Sequence, residues 1–415
     1  MEVQRKFAAL GIGSLTRRWR STQSVAPASS SVLETHCPVG PRTFTTSDER
    51  AYYAMKAVLL IGHGGLEKLE YREDVPIPKP VEGEVLIAVG AAGINNTDIW
   101  TREGAYGTED DPATTSGWRR GNPMRFPRIQ GADIVGRIVG VGGGVNASRI
   151  GERVIVDNAL YGGGEEGLMA SDLIGSERDG GFAEYVAVPA ENAHAIESDL
   201  SDAELATFPT AYVTALRMLN RARVSAGETV LVTGASGGVG SGLIQLARLR
   251  GARVIALVGS GKEDRARTLG CESVIARDTG NLPAAVAKVA GGRPIDVVAD
   301  VVGGEVFADL LNVLRPMGRY VTAGAIAGPV VLLDLRTLYL KQLELVGSTM
   351  GTHEEFASLV EHIASGRIKP LLARTYSLSD IRQAQKDFMN KDFFGKLVLI
   401  PNRGRGSSHA ELGAD

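Results

Sequence analysis

The chain has 415 residues, of which 44% are hydrophobic and 22% are charged, and its formal net charge is −3. This composition suits a soluble protein of two domains, and the slightly acidic balance excludes a broad basic surface for nucleic acid. The two cysteines, Cys37 and Cys271, are too few for a disulfide framework or a zinc site with several thiolates. Apolar runs such as residues 330–333 are far shorter than the ~20 residues of a membrane helix, so we expect no membrane span.

Residues 1–54 differ in character from the rest of the chain. No acidic residue occurs between Val3 and Leu33, whereas five Lys and Arg residues do. A basic, Ser-rich and acid-poor segment is typical of an organelle transit peptide, and residues 42–47 resemble a matrix-peptidase cleavage site. We therefore predict a mitochondrial leader. The alternative is an unstructured extension or a misassigned start, in which case the protein is cytoplasmic.

Four strands are predicted in the first part of the folded chain. They are apolar or alternating runs, most of them bounded by Gly or Pro, at residues 55–60, 85–89, 134–139 and 182–188. No long helical period interrupts them. The sequence therefore predicts a β-rich domain over residues 55–190.

From residue 191 onwards, helices and strands alternate. Ser201 and Glu204 form the capping box of a helix that we expect to run to about Asn220. Further strands are predicted at residues 229–232, 253–258, 295–298, 319–321 and 343–346. Alternation at this spacing indicates an α/β fold with a parallel, doubly wound sheet over residues 191–350.

Two capped helices and one strand are predicted for residues 351–402. Thr352 with Glu355, and Ser377 with Asp380, are expected to begin the helices. The strand covers residues 395–400, and we expect it to return to the sheet of the first domain. Residues 403–415 are a polar tail.

The most specific motif is the turn TGASGGVG at residues 233–240. It follows an apolar strand and opens a helix, which is the context that a dinucleotide-binding fingerprint requires. Small residues let the backbone approach a pyrophosphate, and the helix N-terminus offers free N–H groups and a positive dipole end. A short-chain dehydrogenase is not indicated, because its Tyr-x-x-x-Lys pair occurs only upstream, as Tyr52 and Lys56. The predicted cofactor-binding residues of the turn are Ala235, Ser236, Gly237, Gly238, Val239 and Gly240.

The end of the next strand bears on the choice between NAD and NADP. An acidic side chain there binds the ribose hydroxyls of NAD, but no carboxylate occurs before Glu263. Ser260, Lys262 and Arg265 instead suit the 2′-phosphate of NADP, so NADP(H) is the predicted cofactor. The alternative is that Lys262 is merely a solvated residue in the first turn of a helix.

With this order of motifs, residues 55–402 resemble the medium-chain dehydrogenase/reductase superfamily, and most closely its zinc-free branch of quinone reductases and enoyl-thioester reductases. The resemblance implies a GroES-like catalytic domain with a Rossmann nucleotide-binding domain inserted between its two halves. It is carried by residues 92–99, 102–106, 127–133, 151–154, 233–240 and 395–399.

Two departures from the zinc-dependent members of that superfamily predict that this chain binds no metal. Asn95 stands where those enzymes have a Cys ligand and Ala132 where they have a His. Neither side chain supplies a thiolate or an imidazole. The stretch between about Asp157 and Arg178, where their structural zinc lobe falls, contains no cysteine.

The same resemblance implies roles for individual residues. Tyr106 matches the proton donor of enoyl-thioester reductases, and Asn95 matches an Asn that lines the nicotinamide pocket. Asp98 is expected to orient the loop of Asn95 by hydrogen bonding. Thr214 and Lys396 match positions at the cofactor.

The predicted reaction is hydride transfer from NADPH to a small-molecule quinone, enone or enoyl thioester. Such an acceptor needs a proton donor and hydrogen bonds to its oxygen, but no Lewis acid. Two alternatives remain open: an NADPH-binding, crystallin-like or scaffold protein without turnover, and an alcohol dehydrogenase. Residues 107–125 form an insertion that either overhangs the active cleft or is a solvated loop. The resemblance also implies a homodimer formed through the nucleotide-binding domain.

Overall fold

A computed structural model describes residues 54–106 and 124–401. The predicted leader apart from Ala54, nearly all of the predicted insertion and the predicted C-terminal tail lie outside these ranges. Within them, no helix combines the length and the apolar character needed to cross a bilayer.

Strands dominate the first part of the described chain, as predicted. They are β1 (Ala54–Leu60), β2 (Leu69–Pro76), β3 (Glu84–Gly93), β4 (Arg128–Ile129), β5 (Asp133–Val141), β6 (Arg153–Val156), β7 (Ala159–Leu160), β8 (Asp172–Leu173), β9 (Tyr185–Pro189) and β10 (Ala193–Ala195). The helices between them are α1 (Asn96–Glu103) and α2 (Gly164–Leu168). Strands β10, β6, β5 and β3 lie side by side, β9 also pairs with β3, and a second sheet has the order β2-β1-β4. One core between the two sheets includes Val58, Ile87 and Ile134.

The middle of the chain forms a six-stranded sheet of the predicted doubly wound kind. Its strands are β11 (Thr229–Val232), β12 (Arg253–Val258), β13 (Ser273–Ala276), β14 (Ile295–Asp300), β15 (Leu314–Thr322) and β16 (Glu344–Gly347). Its helices are α3 (Asp202–Leu205), α4 (Pro209–Arg221), α5 (Gly238–Leu249), α6 (Glu263–Thr268), α7 (Leu282–Ala290), α8 (Phe307–Val313) and α9 (Leu335–Leu340). The strand order is β13-β12-β11-β14-β15-β16, and every neighbouring pair is parallel.

Successive residues of the central strand β11 point to opposite faces of this sheet. Val230 and Val232 belong to a core that includes residues of α4 and α5, whereas Leu231 packs in the core that includes residues of α7 and α8. Because helices cover both faces, the strand is a continuous apolar run rather than an alternating one. The strand order reverses between β11 and β14, and ligands of such sheets bind in the crevice beyond the carboxyl ends of these strands.

The chain returns to the first sheet at its end, as predicted. The last elements are α10 (His353–Ala364), β17 (Leu372–Ser377), α11 (Ile381–Asn390) and β18 (Lys396–Ile400). Strand β18 pairs antiparallel with β3 and parallel with β17. Next to this pairing, the Ile94 N–H donates to the Leu397 carbonyl at 2.9 Å. The start of β18 therefore lies beside the end of β3, where the loop of Asn95 begins.

The single helix expected from Ser201 to about Asn220 is two helices, α3 and α4. The capping box is formed, with the Ser201 N–H donating to the Glu204 carboxylate at 2.8 Å. The helix nevertheless ends after one turn, and α4 begins at Pro209. A proline lacks the N–H that a helix interior uses but fits the first turn of a new helix.

The helix expected after Ser377 also begins differently. Residues 378–380 form a 3-10 turn, and α11 follows with Asp380 at its N-cap. The Ser377 hydroxyl donates to the Asp380 carboxylate at 2.5 Å instead of accepting from a backbone N–H. The predicted cap therefore closes the short turn rather than the α-helix.

Candidate active site

The glycine turn lies at the carboxyl end of β11, at the point where the strand order reverses. Gly234 has a positive φ of 54°, which glycine adopts without strain. A Cβ atom at Gly240 would lie 2.3 Å from the Gly234 carbonyl oxygen, so α5 packs against the turn without room for a side chain. Gly237 is the N-cap of α5 and has an extended backbone. Close backbone packing at a helix N-terminus fits the pyrophosphate of a dinucleotide.

Lys396 connects this turn to the loop of Asn95. Its aliphatic stem covers the first residue of α5, since a Cβ at Gly238 would lie 2.8 Å from Lys396 Cδ. Its ammonium group donates to Asn95 Oδ1 at 2.5 Å and to Asp133 Oδ2 at 2.8 Å. All three polar side chains are buried, Asp133 completely. The ammonium and the carboxylate therefore neutralise each other where water does not reach.

Asp133 also fixes the start of α4. Its second oxygen, Oδ1, accepts a hydrogen bond from the Thr210 N–H at 2.8 Å. Thr214 lies one turn further along the same helix and is also buried, so both threonines share one face of α4. The predicted cofactor residue Thr214 is thereby positioned by the cluster around Asp133.

The amide group of Asn95 has one satisfied and one unsatisfied end. Oδ1 accepts from Lys396, whereas Nδ2 is buried and has no hydrogen-bond partner in the described part of the chain. A buried donor without a partner costs about 1–3 kcal/mol. Because Lys396 holds the oxygen side, the amide cannot flip without losing this bond. The free N–H₂ end of Asn95 is therefore a hydrogen-bond donor kept in place for another group.

Asp98 orients the Asn95 loop, as predicted, by accepting the Asn95 N–H at 2.7 Å. Burial, helped by the nearby charge of Asp133, raises the pKa of the Asp98 carboxyl to about 7, although the hydrogen bond from Asn95 acts to lower it. Gln130 donates to the Asp98 backbone carbonyl at 2.9 Å. Asp98 is thus a positioning residue beneath the loop.

Tyr106 lies at the end of the described segment after α1. Its hydroxyl is 3.4 Å from Thr97 Oγ1, and its ring centroid is 5.5 Å from that of Trp100. Burial raises the pKa of the Tyr106 phenol. Like any tyrosine hydroxyl, it carries its proton at neutral pH.

The three residues predicted for the 2′-phosphate lie after β12, and two of them, Lys262 and Arg265, contact the C-terminal part of the chain. Lys262 Nζ donates to the Lys391 carbonyl at 2.5 Å, and burial lowers the pKa of Lys262. The guanidinium of Arg265 lies 5.1 Å from the centre of the Phe394 ring. Ser260 is exposed.

An acidic residue that sequence reasoning missed also lies at this edge. Asp278, which follows β13, forms a side-chain hydrogen bond with Ser260 that lowers the pKa of its carboxyl. A carboxylate near the ribose is typical of NAD enzymes. Asp278 thus counts against NADP, whereas Lys262 and Arg265 count for it.

Other residues missed by sequence reasoning are Thr97 and Lys391, together with the role of Asp133. Thr97 and Asp133 lie inside the motifs that carry the family resemblance, so a signal for them existed. Lys391 stands in the undistinguished segment Asn390–Asp392, where no motif draws attention to it.

The residues at this place do not fit a zinc ion. Across residues 54–106 and 124–401, no three His, Cys, Asp or Glu side chains come together. Asn95 and Asp133 converge instead on the ammonium of Lys396, and Ala132 offers no donor. One amide oxygen and one carboxylate around a cation do not make the three-ligand set of a catalytic zinc.

Comparison with known proteins matches both halves of the described chain. Residues 81–198 match the family described as "Alcohol dehydrogenase GroES-like domain". Residues 238–365 match the family described as "Zinc-binding dehydrogenase". These matches agree with the β-rich part and the doubly wound part of the fold.

Two relatives and one solved structure show the range of similar proteins. An acryloyl-coenzyme A reductase of Metallosphaera sedula is 33% identical over 359 residues, which are 83% of this chain and 99% of the relative. A quinone oxidoreductase of Rattus norvegicus is 28% identical over 356 residues, 83% of this chain and 98% of the relative. A crystal structure from Sinorhizobium meliloti, provisionally assigned as an alcohol dehydrogenase, is 60% identical with a TM-score of 0.82. The match covers 86% of this chain and 100% of that protein.

Proposed function

The chain belongs to the medium-chain dehydrogenase/reductase superfamily of oxidoreductases, and on that premise we propose that it reduces a conjugated acceptor with NADPH and without a metal ion. The acceptor is a quinone, an enone or an enoyl thioester. The Metallosphaera and rat relatives, an acryloyl-coenzyme A reductase and a quinone oxidoreductase, support this acceptor class.

The observation that carries the proposal is the free N–H₂ end of Asn95. When hydride adds to a conjugated acceptor, negative charge develops on its carbonyl or quinone oxygen. A fixed donor in a site without water stabilises that charge without reorganising. Lys396 and Asp98 hold the Asn95 side chain and backbone respectively. This arrangement supplies by hydrogen bonding what a Lewis acid supplies in a zinc enzyme.

The second requirement is a proton. The cofactor, when bound at the glycine turn, supplies the hydride, and one proton completes the two-electron reduction. The Tyr106 phenol carries its proton at neutral pH, since the ordinary pKa of a tyrosine lies near 10 and burial raises the pKa of Tyr106 above that. Its hydroxyl contact with Thr97 Oγ1 provides a path to replace the proton once it has been given up. Tyr106 is accordingly the proposed donor.

NADP is the proposed cofactor because Lys262 and Arg265 place two cations at the edge where the adenosine ribose binds. Ser260 adds a hydroxyl there. Titration of the protein with NADPH and NADH side by side tests it directly.

A second candidate, oxidation of alcohols, is favoured by the 60% identity to the Sinorhizobium protein. The deciding experiment is a panel of quinones, enones and enoyl thioesters with NADPH and NADH, and of alcohols with NADP⁺ and NAD⁺. Each assay is repeated after chelator treatment, with metal content measured on the purified protein. We expect turnover of a conjugated acceptor that chelator leaves unchanged. Turnover of alcohols alone, with stoichiometric zinc, would replace this proposal with the second candidate, and binding without any turnover would support a scaffold role.

The role of Asn95 is tested by Asn95→Ala. Loss of one preorganised donor lowers kcat by about 10²-fold, while the affinity for NADPH, measured by fluorescence titration, should stay within about twofold of the wild type. Unchanged kcat in the variant would remove Asn95 from the mechanism.

We also propose that the protein is a homodimer formed along the edge strand β16. This strand pairs on one side only, and large apolar side chains stand exposed around it, including Leu332 at 92% and Leu340 at 72%. Exposed apolar surface beside an open strand edge is typical of an association site. Light scattering should give twice the mass of one chain, and Leu340→Glu should halve it. A wild-type protein that is monomeric at micromolar concentration would refute the proposal.

Import into mitochondria remains a proposal that rests on the basic, acid-poor residues 3–33. Fusion of residues 1–54 to a fluorescent protein tests it. We expect mitochondrial fluorescence, which is lost when the five basic residues of this stretch are replaced by Gln.

A further inference from the structure

Asp300 is the last residue of β14, at the edge of the sheet where the strand order reverses. Its side chain is completely buried. One carboxyl oxygen, Oδ1, accepts hydrogen bonds from the Thr233 hydroxyl and from the Val302 N–H, the latter at 2.9 Å. The other oxygen, Oδ2, accepts from the Tyr320 hydroxyl at 2.5 Å and from the Gly303 N–H at 3.0 Å. The two oxygens thus have four donors, which come from three segments of the nucleotide-binding domain.

These partners keep the carboxyl group of Asp300 ionised. A carboxylate accepts hydrogen bonds only, and bonds from backbone N–H groups favour its charged form. The Thr233 hydroxyl oxygen itself accepts from the Val301 N–H at 3.1 Å, so its hydrogen is free to point at Asp300. Burial and the neighbouring charge of Asp300 raise the pKa of Tyr320, so the phenol keeps its hydrogen and donates it. Asp300 is therefore a buried anion.

No cation neutralises this anion. Two other buried aspartates of the chain have cationic partners. Asp133 pairs with Lys396 at 2.8 Å, and Asp296, at the opposite end of β14, pairs with Arg315 at 2.6 Å. The hydrogen-bond partners of Asp300 within the described residues are instead four neutral donors, and none of them is a Lys, Arg or His. A net negative charge is thus left at this edge of the sheet.

The donors to Asp300 belong to segments that border the crevice at the switch point. Thr233 begins the glycine turn, and Gly303 lies in the loop after β14. This loop is closely packed, since Gly303 has a φ of 62° and a Cβ atom there would lie 2.9 Å from the Gly328 carbonyl oxygen. A dinucleotide that crosses the switch point lays one nucleotide over each half of the sheet. Because the adenosine side lies at the end of β12, the nicotinamide side falls to β14 and its loop.

We propose that the charge of Asp300 favours the oxidised, cationic form of the nicotinamide ring and so makes the bound reduced cofactor a stronger hydride donor. This inference rests on the proposed function, because it takes the crevice to hold a nicotinamide dinucleotide. During the reaction a C–H bond of the reduced ring breaks and its electron pair moves with the hydrogen to the acceptor. The ring gains one positive charge, while the acceptor takes up the proton of Tyr106. A fixed negative charge stabilises the cation that forms, without any reorganisation.

Asp300→Asn is the variant of choice, because Asn has the same shape, keeps one oxygen for Thr233 and Val302, and has no charge. Tyr320→Phe controls for geometry, since it removes one hydrogen bond to the carboxylate and leaves the charge in place. Asp296→Asn is the matched charge control, since it removes one negative charge from the opposite end of the same strand. Thermal unfolding shows whether each variant is folded.

The measurement is the affinity for the oxidised and for the reduced cofactor, by calorimetry and without an acceptor. NADP⁺ is compared with NADPH, and NAD⁺ with NADH. Two unit charges about 10 Å apart in a protein site change an equilibrium constant by about tenfold. We therefore expect Asp300→Asn to raise the ratio of the oxidised to the reduced dissociation constant by about tenfold. The same ratio in Tyr320→Phe and Asp296→Asn should stay within about twofold of the wild type.

The ratio separates a charge effect from a loss of shape, because a distorted crevice weakens both cofactor forms alike. An unchanged ratio in Asp300→Asn would overturn the inference, and so would an equal change in either control variant. If Asp300→Asn does not fold, the wild type decides. We expect it to bind the oxidised form at least as tightly as the reduced form, and reduced cofactor bound more than about tenfold more tightly would exclude a net negative charge acting on the ring. A wild type that binds neither form refutes the proposed function itself, which is a different result.

Discussion

A methyl group at position 240 probes how closely α5 packs on the glycine turn. A Cβ there would lie 2.3 Å from the Gly234 carbonyl oxygen and 2.6 Å from Ala235 Cα. Both are backbone atoms, which cannot swing away like the end of a side chain. Real Cβ contacts stay above 3.0 Å, so the turn has to move by at least 0.7 Å from the oxygen. Overpacking of this kind costs about 1–3 kcal/mol.

Gly237→Ala is the matched control for Gly240→Ala. Its Cβ would meet only the Gly234 oxygen at 3.4 Å, an ordinary contact, and its φ is −88°. We therefore expect Gly237→Ala to leave the free energy of unfolding within about 1 kcal/mol of the wild type, because a fitting Ala loses less chain entropy than Gly.

Urea unfolding and titration with NADPH are the assays for both variants. Gly240→Ala should unfold with about 2 kcal/mol less free energy and bind NADPH at least tenfold more weakly, since the displaced turn no longer fits a pyrophosphate. Wild-type stability together with wild-type affinity in Gly240→Ala would refute the close packing on which the cofactor site depends.

Three further substitutions test the charged groups that are buried or partly buried in the fold. Lys396→Met leaves the carboxylate of Asp133 buried and unpaired, so the free energy of unfolding measured in urea should fall by about 3–5 kcal/mol. A fall of less than about 1 kcal/mol would mean that water reaches the Asp133 carboxylate. The pKa of Asp98 is raised to about 7, so protonation of Asp98 stabilises the fold fully below about pH 4, and this stability is lost as the pH rises through 7. Asp98→Asn should therefore make the unfolding midpoint less dependent on pH over that range. An unchanged pH profile would contradict the raised pKa. A hydrogen bond to Asp157 raises the pKa of His353. The charged His353–Asp157 pair therefore contributes about 1 kcal/mol to stability below about pH 6.5, and this contribution is lost as the pH rises through the folded pKa of His353. His353→Gln should lower the free energy of unfolding at pH 5.5 but not at pH 9, and equal losses at both pH values would exclude the charged pair.

Much of the fold is predictable because the elements that define it are apolar and periodic. The run before the glycine turn and the strand of residues 253–258 are buried on both faces, and such strands stand out in a sequence. Several strands were missed, among them β13 and β17. Both lie at sheet edges. β17 is half exposed with Arg374 and Thr375 in its centre, so it presents no apolar run, and the apolar part of β13 is only residues 274–276.

The sequence allows single residues of the candidate site to be predicted, but it does not show which of these residues contact one another. Motifs identified Asn95, Tyr106 and the glycine turn, since these lie in short segments with a characteristic order. The bond from Lys396 to Asn95 spans 301 positions and depends on the pairing of β18 with β3, which no local pattern encodes. Asp278 is notable only through Ser260, which lies beside it in space, and the sequence around Asp278 is ordinary.

The pairing of β18 with β3 also sets when the site comes into existence. A ribosome makes the chain from its N-terminus, and domains fold as they emerge. Asp133 is synthesised 263 positions before the lysine that neutralises it. Until that lysine arrives, the carboxylate must stay hydrated and the glycine turn lacks the covering stem. A nascent chain that stops before residue 396 thus leaves the Asp133 carboxylate without its cation and Gly238 without the lysine stem that covers it.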